Sequence, residues 1–435
     1  MKKALVITYY WPPSGGAGVQ RWLKFVKYLR EFGWEPVIFT PENPEFPETD
    51  PYLEKEIPAG IEVIRAPIWE PYEYYKRISG KKKGERIQAA FLSEKKKNPA
   101  TEKLSVWIRG NLFIPDARKF WIRPATRFLV KYLADHPVNV IVSSGPPHSM
   151  HVIAGKVSDK LKIPWLADFR DPWTGIDFYR DLRLTRYADR RHHRLEQEVL
   201  RKAGCVTVVG PSMAEDMKAI FPRKYEVVTN GYDPEDVEAA GTIEPDPEFS
   251  ISHIGTLTGS RNLQVLWTAL KQLTDENEDL RKDLAIKLVG KVDFSATEAI
   301  RQSGLEGYVS RTEYLPHKDV IRVQKASRVL LLLINDTPNA RSILTGKFFE
   351  YMASGRPVLC IGPEDGDAAK IIYETRTGLV SGYHDLEKTR NNILALYKDF
   401  KKGKLQMEST GVERFSRKAL TQRMSVLMDN LAAAK

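Results

Sequence analysis

The stretch Lys3-Ala4-Leu5-Val6-Ile7-Thr8-Tyr9-Tyr10-Trp11-Pro12-Pro13-Ser14-Gly15-Gly16-Ala17-Gly18 decides the fold. Its first half is rich in β-branched and aromatic residues, as strands are. Two prolines and a glycine cluster then break it. Beyond the break, Val19, Trp22, Leu23, Phe25, Val26 and Leu29 recur at spacings of three and four, which predicts an amphipathic helix. Gly33 stops that helix, and Pro36–Thr40 reads as a second strand. Strand, helix and strand make a βαβ unit with a parallel sheet. The rhythm continues with strands at Asn139–Ser144, Trp165–Asp168 and Cys205–Val209 and helices at His151–Leu161 and Leu182–Ala203. It resumes with strands at Ser250–Ile254, Ala285–Val289, Val329–Ile334 and Val358–Ile361 and helices at Asn262–Leu273 and Gly346–Ala353. The expected class is α/β with two doubly wound, Rossmann-like halves. The acidic, Pro/Gly-bearing stretch Glu235–Phe249 marks the join. The expected domains are 1–235, 236–410 and a C-terminal helical piece, 411–435.

Composition agrees with two cores. The chain has 435 residues, 42% hydrophobic and 28% charged, which excludes a disordered or fibrous protein. The longest apolar run, Val329–Ile334, is far short of a membrane-spanning helix. The apolar N-terminal stretch ends at Tyr9-Tyr10-Trp11-Pro12-Pro13, so no signal-peptide core is expected, and the reading is cytoplasmic. Two cysteines, Cys205 and Cys360, exclude a disulfide scaffold and a multi-cysteine zinc site. The net charge of +11 is concentrated: residues 71–135 hold 16 Lys plus Arg against 6 Asp plus Glu, or +10. There the runs Lys81–Lys83 and Lys95–Lys97 sit among Tyr72, Tyr74, Tyr75, Trp107, Phe113, Phe120 and Trp121. This basic-aromatic insertion reads either as a solvated lysine loop over an aromatic mini-core or as a surface for anionic lipid headgroups. No RNP, HTH or KH pattern accompanies it, so no nucleic-acid partner is expected.

Three stretches carry ligand chemistry. Gly15–Gly18 opens the first helix, where glycines let backbone N–H groups approach an anion. Gly255-Thr256-Leu257-Thr258-Gly259, followed by Arg261, repeats the device, with a guanidinium suited to a diphosphate. Thr345-Gly346-Lys347-Phe348-Phe349-Glu350 places Thr, Gly and Lys at a helix start and a carboxylate one turn on. That start favours phosphate, and Glu350 is suited to hold the two hydroxyls of a ribose. Two further segments follow buried strands: Ser143–Ser149, with His148, and Ala167–Thr174, with Asp168, Arg170 and Asp171. Asp168, Asp171 or a near-neutral His148 would serve as general base there; alternatively Asp171 and Arg170 pair to fix the loop and His148 caps a helix. His192-His193 reads as the polar face of a helix.

Taken together, the Tyr-Trp-Pro-Pro-Ser-Gly-Gly start, Asn230-Gly231-Tyr232-Asp233, the Gly-Thr-Leu turn with Arg261, and Lys347–Leu359 make the chain resemble the family 4 retaining glycosyltransferases of GT-B fold. The resemblance implies two Rossmann-like domains facing a cleft, the first for the acceptor and the second for a nucleotide-sugar donor. The last helix then crosses back to the first domain. It implies no metal and no cofactor apart from the donor. By position, Arg261 would contact the donor diphosphate, Glu350 would hold the ribose, and Gly16 would lie near the phosphates and sugar. Three departures stand out: Ser342 replaces the first glutamate of the E-x7-E pattern, Arg261 replaces a usual lysine, and Thr256 replaces a frequent arginine. Lys347 is suited to compensate in the diphosphate clamp, with Thr345 and Thr256 beside it. The implied reaction moves a sugar from a nucleoside-diphosphate sugar, UDP foremost, to a lipid-linked or polysaccharide acceptor. Cell-envelope polysaccharide synthesis at the inner face of the plasma membrane would suit it. A nucleotide-sugar epimerase and a non-catalytic partner subunit remain alternatives.

Overall fold

The computed structural model describes residues 1–46, 49–71, 99–313 and 315–434. It divides into two compact units, Met1–Val228 with Leu420–Lys435, and Thr229–Ala419. The division falls earlier than residue 235, because Asp233 caps a short helix, Pro234–Ala239, that belongs to the second unit.

The first unit carries a seven-stranded parallel sheet: β1 (Lys2–Ile7), β2 (Trp34–Pro41), β3 (Glu62–Ala66), β4 (Val140–Gly145), β5 (Trp165–Phe169), β6 (Cys205–Val208) and β7 (Glu226–Val227), in the order β3-β2-β1-β4-β5-β6-β7. The order reverses between β1 and β4, the switch point of a doubly wound sheet. Alternate residues feed opposite faces. Leu5, Ile7, Ile141 and Ala167 pack with the helices Ile122–Asp135 and Ser149–Leu161. Ala4, Val6, Val140 and Val142 pack with the first helix, Ala17–Leu29, and with Leu420, Met424 and Met428 of the final helix, Arg417–Ala433.

The second unit repeats the plan with six parallel strands: β8 (Phe249–Ile254), β9 (Leu284–Val289), β10 (Val309–Thr312), β11 (Val329–Leu333), β12 (Val358–Ile361) and β13 (Gly378–Ser381). Their order is β10-β9-β8-β11-β12-β13, with the switch between β8 and β11. The helices Gln264–Glu276 and Leu386–Lys401 cover one face, and Gly346–Ala353 and Asp367–Thr375 the other.

Of the insertion, residues 72–98 lie outside the described residues, including Tyr72, Tyr74, Tyr75 and both lysine runs. Its later part is built into the first unit. Trp121 is buried and stacked on Phe39 at 5.0 Å. Asp116 accepts from the Ser149 N–H at 2.8 Å and hydroxyl at 2.9 Å, and Arg118 pairs with Glu70 at 3.1 Å. Trp69, Leu112 and Phe120 stay exposed, with Phe120 edge-on to Trp69 at 4.8 Å.

At the first switch point one carboxylate gathers the neighbouring elements. Asp168 is fully buried. It receives Arg21 Nη2 at 2.8 Å, Arg21 Nε at 3.0 Å, Trp22 Nε1 at 2.8 Å, Thr207 Oγ1 at 2.8 Å and Ser144 Oγ at 3.2 Å. Burial alone would raise its pKa, but the Arg21 charge and these donors together hold it below the ordinary value. Removing one partner strands a buried charge. Asp168→Asn should therefore lower the unfolding free energy by about 3–5 kcal/mol in denaturant titration. A folded-state pKa below the unfolded one gives stability that is present above the unfolded value and lost as pH falls through the folded one. The deficit of the variant should thus shrink on acidification.

Candidate functional site

The carboxyl ends of the strands beside a switch point are where doubly wound sheets bind ligands. In the second unit the chain leaves β8 through Gly255, at φ 106°, a conformation only glycine adopts without strain. The turn is zipped to the one after β9: Gly255 N–H donates to Val289 O at 2.7 Å and Leu257 N–H to Lys291 O at 2.9 Å. A Cβ on Gly290 would lie 2.8 Å from the Gly255 carbonyl, so the two turns meet backbone to backbone. On its other side, Asp336 N–H donates to Ser260 O at 3.1 Å.

The side chains on this frame are mostly cationic or donors. Arg261 is half-buried; its Nε donates to Asn335 Oδ1 at 2.7 Å and its Nη1 to the Thr256 carbonyl at 3.1 Å. Asn335 Nδ2 donates in turn to Ser260 Oγ at 2.9 Å. Lys347 Nζ lies 3.0 Å from Ile254 O, 3.3 Å from His253 Nε2 and 3.6 Å from where a Gly255 Cβ would be. Burial and the Arg261 charge push the Lys347 ammonium well below the usual lysine range, with Glu350 opposing. Burial also lowers the Arg261 guanidinium. Among the described residues neither cation forms an ion pair. Thr345 stands at the N-cap of the helix Gly346–Ala353 without capping it, and its buried hydroxyl has no hydrogen-bond partner among the described residues. Glu350 Oε2 accepts from Gln324 Nε2 at 3.0 Å. Ser342, at the glutamate position, turns its hydroxyl back to Asn339 O at 2.9 Å. Arg261, Thr256 and Lys347 thus converge on one turn, and Thr345 and Glu350 flank Lys347 on its own helix. Such a place suits a polyanion.

In the first unit Gly16, at φ 79°, precedes the first helix, which has no side-chain cap. Gly18 packs so closely that a Cβ there would sit 3.0 Å from the Tyr10 ring. Arg170 Nη1 donates to Gly18 O at 2.7 Å and its Nη2 donates to Pro146 O. Arg170 thus staples the first turn of the first helix to the loop after β4, while the Asp171 charge favours its guanidinium. Two expectations change. Asp168, saturated and without access to water, cannot exchange protons with a substrate. His148 is not a near-neutral base: burial, with His151 and Arg170, pushes its pKa well below the usual range, and its ring stacks on Trp173 at 4.6 Å. It holds the N-cap position of its helix but makes no capping bond. His192 is likewise buried and accepts from Trp173 Nε1 at 3.1 Å, so it does not lie on a polar helix face. Asp171 stays exposed.

Asn335, His253 and Gln324 escaped the sequence reading. Asn335 sits two residues beyond β11, the strand across the switch point from β8, and that adjacency was the only available signal. His253 lies inside a strand, and Gln324 inside a helix of another segment; nothing local marks either.

Residues 15–231 match the glycosyl transferase 4-like domain, and residues 248–399 match the glycosyl transferases group 1 domain. No curated protein matches the chain at a significant level. Among solved structures it resembles sucrose-phosphate synthase from Thermosynechococcus elongatus, with a TM-score of 0.59, 17% identity and 100% of both chains covered. It also resembles Anabaena HepE in complex with UDP-glucose, with a TM-score of 0.57, 14% identity and coverage of 100% of this chain and 99% of that one. A putative UDP-N-acetylglucosamine 2-epimerase from Listeria monocytogenes shares the fold as well, with a TM-score of 0.55, 10% identity and coverage of 100% and 97%. Both family matches follow the two units in order, and the two parallel sheets are those of the GT-B fold: the chain belongs to the family 4-like glycosyltransferases.

Proposed function

We infer that the chain transfers a sugar, with retention at the anomeric carbon, from a nucleoside-diphosphate sugar to a hydroxyl of a lipid-linked or polysaccharide acceptor. The observation that carries this reading is the uncompensated charge of the second unit. Among the described residues Arg261 and Lys347 are held half-buried with no ion pair, beside a helix N-terminus without a side-chain cap and the Thr345 hydroxyl, which has no partner there. An incoming diphosphate supplies the missing anion. Charge building up on the leaving phosphate is then met by donors already in place, so no reorganisation is needed at the moment of bond cleavage. The same cations do the work a metal would otherwise do. Glu350 offers its carboxylate to the ribose, and the complex of HepE with UDP-glucose makes UDP the first nucleotide to try. Asp171 is the remaining protein candidate for the acceptor proton, alongside the donor phosphate itself.

The acceptor side of the reading rests on the first unit's surface. Trp69, Leu104, Trp107, Leu112 and Phe120 are exposed, and Lys119 lies 5.0 Å over the Phe120 ring. Aromatic rings beside a basic residue suit an anionic bilayer surface. Among the described residues no helix is long and apolar enough to cross a membrane.

Calorimetric titration tests the donor site. UDP should bind the wild type, and Arg261→Ala should weaken it roughly 10–100-fold, the effect of losing a charged donor to phosphate. Glu350→Gln should weaken UDP more than it changes inorganic pyrophosphate, because only UDP carries the ribose that the carboxylate would hold. Incubation of labelled UDP-sugar without acceptor separates transfer from epimerisation: turnover of the donor alone to its epimer would overturn the transferase reading. Sedimentation with vesicles tests the surface. Binding to phosphatidylglycerol vesicles, absent with phosphatidylcholine alone and reduced in Trp107→Ala/Phe120→Ala, is the expected result.

A further inference from the structure

One buried titratable group of the second unit has no task in the reading above. His253, near the end of β8, is 1% exposed. Its Nδ1 lies 3.1 Å from the Leu331 carbonyl oxygen. A carbonyl only accepts, so the tautomer that satisfies Leu331 carries its proton on Nδ1 and leaves a lone pair on Nε2, with the Thr256 backbone also beside the ring. The group before that lone pair is Lys347 Nζ, at 3.3 Å, which also reaches Ile254 O at 3.0 Å. The titratable groups facing Lys347 are His253 from β8, Arg261 from the turn Gly259–Arg261, and Glu350 and Tyr351 from its own helix. Burial and the Lys347 charge push His253 well below its usual range, which favours the neutral ring.

We propose that His253 is a positioning residue of the diphosphate site: its Nε2 lone pair, with the Ile254 carbonyl, holds a charged Lys347 beside the Gly255 turn. The proposal rests on the diphosphate reading and adds a residue that acts only through another. A buried lysine beside an arginine tends to shed its proton, and two acceptors oppose that loss. An anion entering the site finds the ammonium charged and in place. As pH rises through the lowered lysine range the charge is lost, and phosphate affinity falls with it. Without the His253 acceptor that fall begins at lower pH.

The test is calorimetric titration of UDP and of inorganic pyrophosphate between about pH 6 and about pH 10, with melting temperatures recorded for every variant. His253→Leu should bind both ligands roughly tenfold more weakly near neutrality, and its affinity should fall at lower pH than that of the wild type. His253→Gln, which restores an acceptor oxygen, should recover most of the affinity. Lys347→Arg, which keeps its charge, should bind with little dependence on alkaline pH. A folded His253→Leu with the wild-type pH profile would overturn the proposal. So would an alkaline fall retained in Lys347→Arg, a result that stands even where the leucine variant does not fold. Failure of the wild type to bind either ligand would instead overturn the diphosphate reading itself.

Discussion

A carboxylate shut away from water holds the first unit together at its switch point. Asp168 collects donors from the first helix and from β4 and β6 while standing on β5. Burying a charge is favourable only when its partners are complete, and here each oxygen has more than one donor. The first helix begins just after Gly16, so the pair Arg21–Asp168 also fixes where the glycine turn lies against the sheet. A polar residue at a strand end is the usual mark of a ligand site, and in this instance it is the keystone of a core.

The second unit uses the same sheet order to the opposite end. Beside its switch point two cations have carbonyls, an amide and an imidazole for bonding partners, and among the described residues the carboxylate of Glu350 acts on Lys347 by charge without bonding to it. The two units differ in how their charges are completed: Arg21 has its anion inside the fold, whereas Arg261 and Lys347 form no ion pair among the described residues. The zipped turns after β8 and β9 fix the loop that leads to Arg261, since Gly255 and Gly290 meet backbone to backbone, while Lys347 reaches the same turn from its own helix.

Much of this was legible in the residues. Strands buried on both faces, such as Val329–Leu333, announce themselves as apolar runs, and the helices between them by their spacing. The edge strands did not: Glu62–Ala66 and Val309–Thr312 are half-exposed and polar, so their pattern resembles loop. Arg261, Lys347 and Glu350 could be picked out because glycine turns and helix starts mark local sites. The roles of Asp168, His148 and Arg170 could not be told apart, because they depend on donors and rings brought from distant segments. Arg21 lies 147 positions from Asp168 in the chain. Asn335 and His253 take their meaning from the same kind of distant adjacency.

The Arg170 staple limits how this end of the first unit's sheet can diversify. Its guanidinium grips the carbonyls of Gly18 and Pro146, and its ring neighbour is Tyr10. Both contacts are to backbone carbonyls, one in the first turn of the first helix and one in the loop after β4, so apart from Gly18 they leave the neighbouring side chains free to vary. They do not tolerate a change of length in one loop alone, which would pull a carbonyl from a buried guanidinium. Substitution on segments of fixed length, at positions other than Gly18, is therefore the kind of change this surface admits.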